Sequence, residues 1–100
     1  MKVRVLNMTK NELKIEIEGE GHTFCNVIQK ALIKDKRVEI AGYDIPHPLT
    51  SSPLIYIRTK GQSKPTKVLD DATKAVHKDS KTFRAAFSKA LKEWNKKRQS

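Results

Sequence analysis

From Pro65 to Lys96 the chain reads as one amphipathic helix, and that stripe constrains the fold more than any other feature. Val68, Ala72, Ala75, Val76, Phe83, Ala86, Phe87, Ala90, Leu91 and Trp94 recur at three- and four-residue spacing, on or near one side. Pro65 suits a first helical turn, where its missing N–H costs nothing. Asp70 and Asp71 lie toward the positive end of the helix dipole, and Lys96, Lys97 and Arg98 toward the negative end. Asp70 with Lys74 and Glu93 with Lys97 are favourably spaced pairs. One helix over 65–96 would be ~48 Å long at ~1.5 Å per residue. Strands of six to eight residues reach only ~20–27 Å, so the helix would overhang its sheet. Phe83, Phe87 and Trp94 would then present ~450–750 Å² of apolar surface, at ~150–250 Å² each. A soluble monomer seldom leaves so much uncovered, so the single-helix reading predicts a second polypeptide over the stripe. The rival reading breaks the helix at Asp79-Ser80-Lys81-Thr82, where short polar side chains can cap a new helix, and folds the aromatics inward. The single helix is favoured here.

The first half of the chain supplies the sheet. Val3, Val5 and Met8 mark a strand, and the largely polar Asn7–Asn11 stretch can turn the chain. Leu13, Ile15 and Ile17 alternate strictly with Glu12, Lys14, Glu16 and Glu18, as in an antiparallel strand with one wet face. The two runs read as a hairpin. Gly19 to Gly21 ends the pattern and Thr23 is a good N-cap for a helix. Phe24, Val27, Ile28, Ala31 and Leu32 form its apolar stripe, and Asp35 closes it. Val38, Ile40 and Gly42 resume alternation, with Tyr43 and Ile45 on the opposite register. Pro46-His47-Pro48 cannot sit in a central strand, since prolines lack the ladder donor. Leu54–Thr59 is a fourth strand, ended by Gly61. The order β-β-α-β-β-α predicts one α+β domain over residues 1–100, with two helices on one face of a four-stranded, mainly antiparallel sheet and a long last helix.

The chain carries 21 Lys and Arg against 11 Asp and Glu, a formal charge of +10. Such a charge ordinarily points to nucleic acid. Its position narrows that inference. Residues 1–59 hold 9 basic and 7 acidic side chains, whereas residues 60–100 hold 12 and 4. The excess sits on the last helical stretch, whose lysines at 74, 78, 81, 89, 92 and 96 spread round its polar side without interleaved aromatics. A solvated face on a partner-seeking helix accounts for them better than a free-standing basic nucleic-acid-binding module, which stays as the alternative. No apolar run exceeds the four residues Leu54–Ile57, so no membrane span is expected. One cysteine makes no internal disulfide. The expected setting is the cytoplasm.

Nothing in the sequence argues for catalysis or for a cofactor. His22 and Cys25 are three residues apart, but no second pair completes a metal site. A Cys–His nucleophile pair needs facing geometry and an orienting third group, which neighbours in a capping segment seldom supply. Glu12, Glu16 and Glu18 lie on the wet face of a strand. Gly19, Gly21, Gly42 and Gly61 have no phosphate-loop spacing.

Two segments are more specific. Gly19-Glu20-Gly21-His22-Thr23-Phe24-Cys25-Asn26 resembles the strand-to-helix signature of the small DNA-directed RNA polymerase subunits related to the amino-terminal domain of the bacterial alpha subunit. Ala41-Gly42-Tyr43-Asp44-Ile45-Pro46-His47-Pro48-Leu49 is similar to the tyrosine and Pro-His-Pro stretch of the same family, and Tyr56-Ile57-Arg58-Thr59-Lys60-Gly61 to the strand and turn that follow. The resemblance runs from about residue 3 to residue 94, and the length without insertion points to the archaeal branch. It implies an alpha-like dimerisation fold and pairing with a second alpha-like chain, the D subunit of the polymerase. That heterodimer would be a platform for the large catalytic subunits. The resemblance implies no catalytic residue in this chain, and the charge, read as a solvated helix face, predicts no direct DNA contact. Phe24, Val27, Ile28 and Leu32 on the first helix, and Phe83, Phe87, Leu91 and Trp94 on the last, are the expected heterodimer interface. His22, Thr23 and Asn26 are expected to fix the start of the first helix. Tyr43, Pro46, His47 and Pro48 would stiffen the loop beyond the third strand, where another subunit could dock. The lysines around Lys64-Pro65-Thr66-Lys67 and in the tail have no counterpart in that scheme.

Overall fold

The computed structural model describes residues 2–18, 22–44, 52–76 and 80–99, with His22, Thr23, residues 75–76, 80–82 and 98–99 placed by backbone alone. Four strands, β1 (Lys2–Met8), β2 (Glu12–Glu18), β3 (Val38–Asp44) and β4 (Leu54–Thr59), form one antiparallel sheet in the order β1-β2-β4-β3. Three helices are described: α1 (His22–Lys34), α2 (Pro65–Val76) and α3 (Ser80–Gln99). Over the sheet, α3 packs on β1, α2 on β2 and β4, and α1 on β3, so the helices line up in one layer. Thr23 falls inside the first turn of α1, not ahead of it as a cap.

The alternation of β2 works as the sequence predicts: Leu13, Ile15 and Ile17 are wholly buried against Ile55 and Ile57 of β4. The pattern fails in two places, and a β-bulge causes each failure. In β1 the register shifts between Val5 and Asn7, which brings Met8 opposite Leu13 on the core side and leaves Leu6 exposed. In β3 it shifts between Val38 and Ile40. Val38, Ala41 and Tyr43 then face the core, while Ile40 and Gly42 pair with Arg58 and Tyr56 on the outer face. One extra residue reverses every side chain beyond it, so Val38 and Ile40 do not share a face as alternation predicted.

The single helix over 65–96 is corrected by the structure. Arg84 Nε donates to Asp70 Oδ1 at 2.7 Å. Fourteen positions apart on a straight helix they would stand ~21 Å from each other. The longest dimension of the molecule is 36 Å, too short for a ~48 Å rod. Helix α3 runs back along α2, and the aromatic stripe turns inward. Phe83 is fully buried, 5.5 Å from the Phe24 ring and 5.9 Å from Phe87, which is itself 5% exposed. The expectation that this stripe lacks an intramolecular partner is corrected with it. Energy explains the choice. Burying two phenyl rings, ~300–500 Å², is worth ~8–12 kcal/mol gross as an upper bound. A break forgoes only three or four helical hydrogen bonds at ~1 kcal/mol each. Packing wins.

Two neighbouring polar clusters fix one end of this layer. Asn11 Nδ2 donates to Thr59 O (3.1 Å), Thr59 Oγ1 (3.2 Å) and Gly61 O (3.0 Å). The buried Thr59 hydroxyl donates to Ser63 O at 2.6 Å, which ties the β1–β2 turn to the lead-in of α2. Gly61 has φ +56°, the left-handed turn that favours glycine. Beside it Arg37, whose carbonyl accepts from Lys60 N at 2.9 Å, bridges Asp35 (2.6 Å) and Asp71 (3.1 Å), clamping the α1–β3 turn to α2.

Candidate functional site

The antiparallel pairing of α2 with α3 leaves an open trough along their outer seam. One stretch, about 600 Å³, is lined by Thr66, Lys67, Asp70, Arg84, Phe87 and Leu91 among others. The next, about 640 Å³, shares Thr66 and Leu91 and continues past Pro65 and Asn95 to Met8 at the end of β1 and Lys10 of the β1–β2 turn. The floor is apolar, with Phe87 and Pro65 buried and Met8 and Leu91 half-buried. The rim is basic, with Lys10, Lys64 and Lys67 all exposed.

Charge pairs hold the walls in place. Asp70 accepts from Arg84 and lies 3.4 Å from Lys74, a pair that helical spacing alone identified. Asp71 lies 3.3 Å from Lys67 and 3.1 Å from Arg37. Partial desolvation pushes the Asp71 carboxyl up, but hydrogen bonds from Arg37 and Lys67 outweigh it and hold it below the ordinary range. The side-chain hydrogen bond from Arg37 lowers Asp35 likewise, and the two carboxylates raise the guanidinium of Arg37.

The structure separates the eight expected interface residues into two groups. Phe24, Ile28, Leu32, Phe83 and Phe87 lie in the core of the chain itself. Val27, Leu91 and Trp94 are half-buried and remain reachable from outside. Only Phe87 and Leu91 line the trough. The Trp94 indole Nε1 is buried with no hydrogen-bond partner among the described residues, a deficit of ~1–3 kcal/mol. Of the residues expected to fix the start of α1, Asn26 is half-buried, and His22 and Thr23 are in the helix backbone. Tyr43, one residue before the end of β3, is half-buried, whereas Pro46, His47 and Pro48 lie outside the described residues. The sequence missed Pro65, Thr66, Met8 and Asn95 as neighbours, because only the fold-back of α3 brings them together. Among the described residues no group of His, Cys, Asp and Glu could hold a metal, and no helix is long and apolar enough to cross a membrane.

Three helices layered over a four-stranded antiparallel sheet define an α+β domain, and the comparisons with known proteins place it in a family. The chain belongs to the RNA polymerase Rpb3/Rpb11 dimerisation-domain family, whose sequence model matches residues 12–86. It is 42% identical over 91 residues to DNA-directed RNA polymerase subunit Rpo11 of Methanosarcina barkeri, covering 91% of this chain and 98% of that one. The Rpo11 subunit of Pyrococcus furiosus is 33% identical over 94 residues, with 92% and 99% covered. Among solved structures, DNA-directed RNA polymerase subunit L of Thermoplasma acidophilum superposes with a TM-score of 0.67 at 27% identity, over 99% of this chain and 94% of that one.

Proposed function

We propose that this chain is a non-catalytic assembly subunit of archaeal DNA-directed RNA polymerase, of the type of subunit L. It pairs with the alpha-like D subunit, and the heterodimer serves in the cytoplasm as the platform for the large catalytic subunits. The observation that carries the reading is the trough between α2 and α3, apolar along its floor and basic along its rim, in a chain of a dimerisation-domain family. In this reading Leu91, Trp94 and Val27 meet the partner directly and Phe87 forms the floor beneath it. Phe24, Ile28, Leu32 and Phe83 support that surface from within.

The test is co-expression with the D subunit from the same organism, followed by size exclusion with light scattering. A stable one-to-one complex is expected, and Leu91→Asp, at a half-buried groove wall, should weaken it at least tenfold while the circular dichroism of the free chain is kept. A Leu91→Asp chain that pairs as tightly as the parent would refute this placement. The rival, a basic nucleic-acid-binding module, has in its favour Lys89, Lys92 and Lys96, which are exposed on α3. It requires salt-sensitive binding of nucleic acid by the free chain, lost on charge reversal at those three lysines.

A further inference from the structure

The far edge of the sheet is open among the described residues. β3 is the last strand in the order β1-β2-β4-β3, and no described residue pairs with its outer edge. Edge strands are ordinarily blunted by lysine, proline or a covering element. β3 (Val38–Asp44) has neither lysine nor proline, and its only charges, Glu39 and Asp44, are acidic in a chain of formal charge +10. The bulge between Val38 and Ile40 turns an apolar side chain outward, leaving Ile40 47% exposed. The backbone of Ala41 faces the open edge, since its carbonyl accepts from Gln29 Nε2, in a long bond of 3.4 Å. Tyr43, two residues on, faces the same way.

Gly42 sharpens the case. Its φ is not positive, so its backbone does not require glycine. A Cβ built on it would meet nothing within 4 Å, so packing within the chain does not require it either. Glycine in a strand interior weakens the strand and marks a place where another backbone comes close. Above it lies a hollow of about 300 Å³, walled by Leu54 and Tyr56 and rimmed by Lys14 on β2 and Asp44 at the edge.

We propose that β3 is extended by a fifth strand, an extended segment of another polymerase subunit. Its bulky apolar side chain would lie over Gly42 against Tyr56, with a basic residue facing Asp44. The proposal rests on the assembly reading above but uses the opposite end of the sheet from the α2–α3 trough.

The experiment is reconstitution of the polymerase with wild-type chain, Gly42→Val and Asp44→Lys, scored by incorporation relative to the heterodimer with the D subunit. Gly42→Val should leave the melting temperature of the heterodimer unchanged or higher, yet cut incorporation about tenfold or more, because the added methyls occupy the approach path. Asp44→Lys, on the exposed edge, should cut it in the same direction, more strongly at low salt. The amides of Ala41 and Tyr43 should exchange quickly in the heterodimer and slowly in the assembled enzyme. Wild-type incorporation by either variant, or exchange that assembly leaves unchanged, overturns the fifth strand while the assembly reading stands. A wild-type chain that pairs with nothing removes both.

Discussion

Phe83→Ala is the sharpest test of how this chain folds when it is alone. Phe83 is fully buried, with Phe24 on one side and Phe87 on the other. Its ring accounts for ~150–250 Å², or ~4–6 kcal/mol gross at ~25 cal/mol per Å². Truncation also leaves a cavity, and measured Phe→Ala losses in cores run about 3–5 kcal/mol. A hundred-residue domain is stable by only about 5–15 kcal/mol, so the variant should lose a large share of its stability. Guanidinium denaturation followed by circular dichroism reads this directly. With a slope of roughly 2–6 kcal/mol per M, the midpoint should drop by about 1 M with the slope unchanged. Ser88→Ala, an exposed change further along α3, is the control and should stay within about 0.5 kcal/mol. If α3 instead continued α2 as one rod, Phe83 would lie in solvent and its truncation would behave like the control. A loss below about 1 kcal/mol would therefore refute the fold-back. A double-mutant cycle on Asp70 and Arg84 gives an independent answer: the 2.7 Å pair should show a coupling of a few tenths to about 1 kcal/mol, and a rod none.

Other outcomes follow from the polar clusters. Asn11→Ala removes three hydrogen bonds and strands acceptors beside the buried Thr59, so it should cost about 1–3 kcal/mol in the same denaturation assay. Asp35 and Asp71 are both held below the ordinary carboxylate value of 3.8 in the folded chain. Their contribution is complete above about pH 4 and is lost as the pH falls further, because the unfolded chain takes up protons first. A melting profile from pH 7 to pH 2 should bend downward below about pH 4, and the Asp35→Asn, Asp71→Asn double variant should flatten that limb.

The strands and α1 were legible because their signals are local. Leu13, Ile15 and Ile17 alternate with charged residues, and only one face of such a strand can enter a core. Pro65 sits at the start of α2 as its missing donor requires, and the apolar stripe of α1 was legible, although Ile28 and Leu32, expected at the heterodimer interface, lie in the chain's own core. The bulges at Leu6 and Glu39 were not legible, since an added residue leaves no mark in composition and shows only as a change of face. The trough was half legible: Phe87 and Leu91 belong to the stripe, but Met8, Pro65 and Asn95 join them only through contacts distant in sequence.

By itself the sequence determined which residues are apolar together, and so the sheet, its wet face and the helical stripe that needs cover. Tertiary structure decided what provides that cover. Helix periodicity is the same whether a stripe meets a partner or its own sheet, so the pattern cannot distinguish a rod from a hairpin. The balance between ~8–12 kcal/mol of ring burial and a few helical hydrogen bonds does distinguish them, and it exists only once Phe24 and Phe83 are brought within reach.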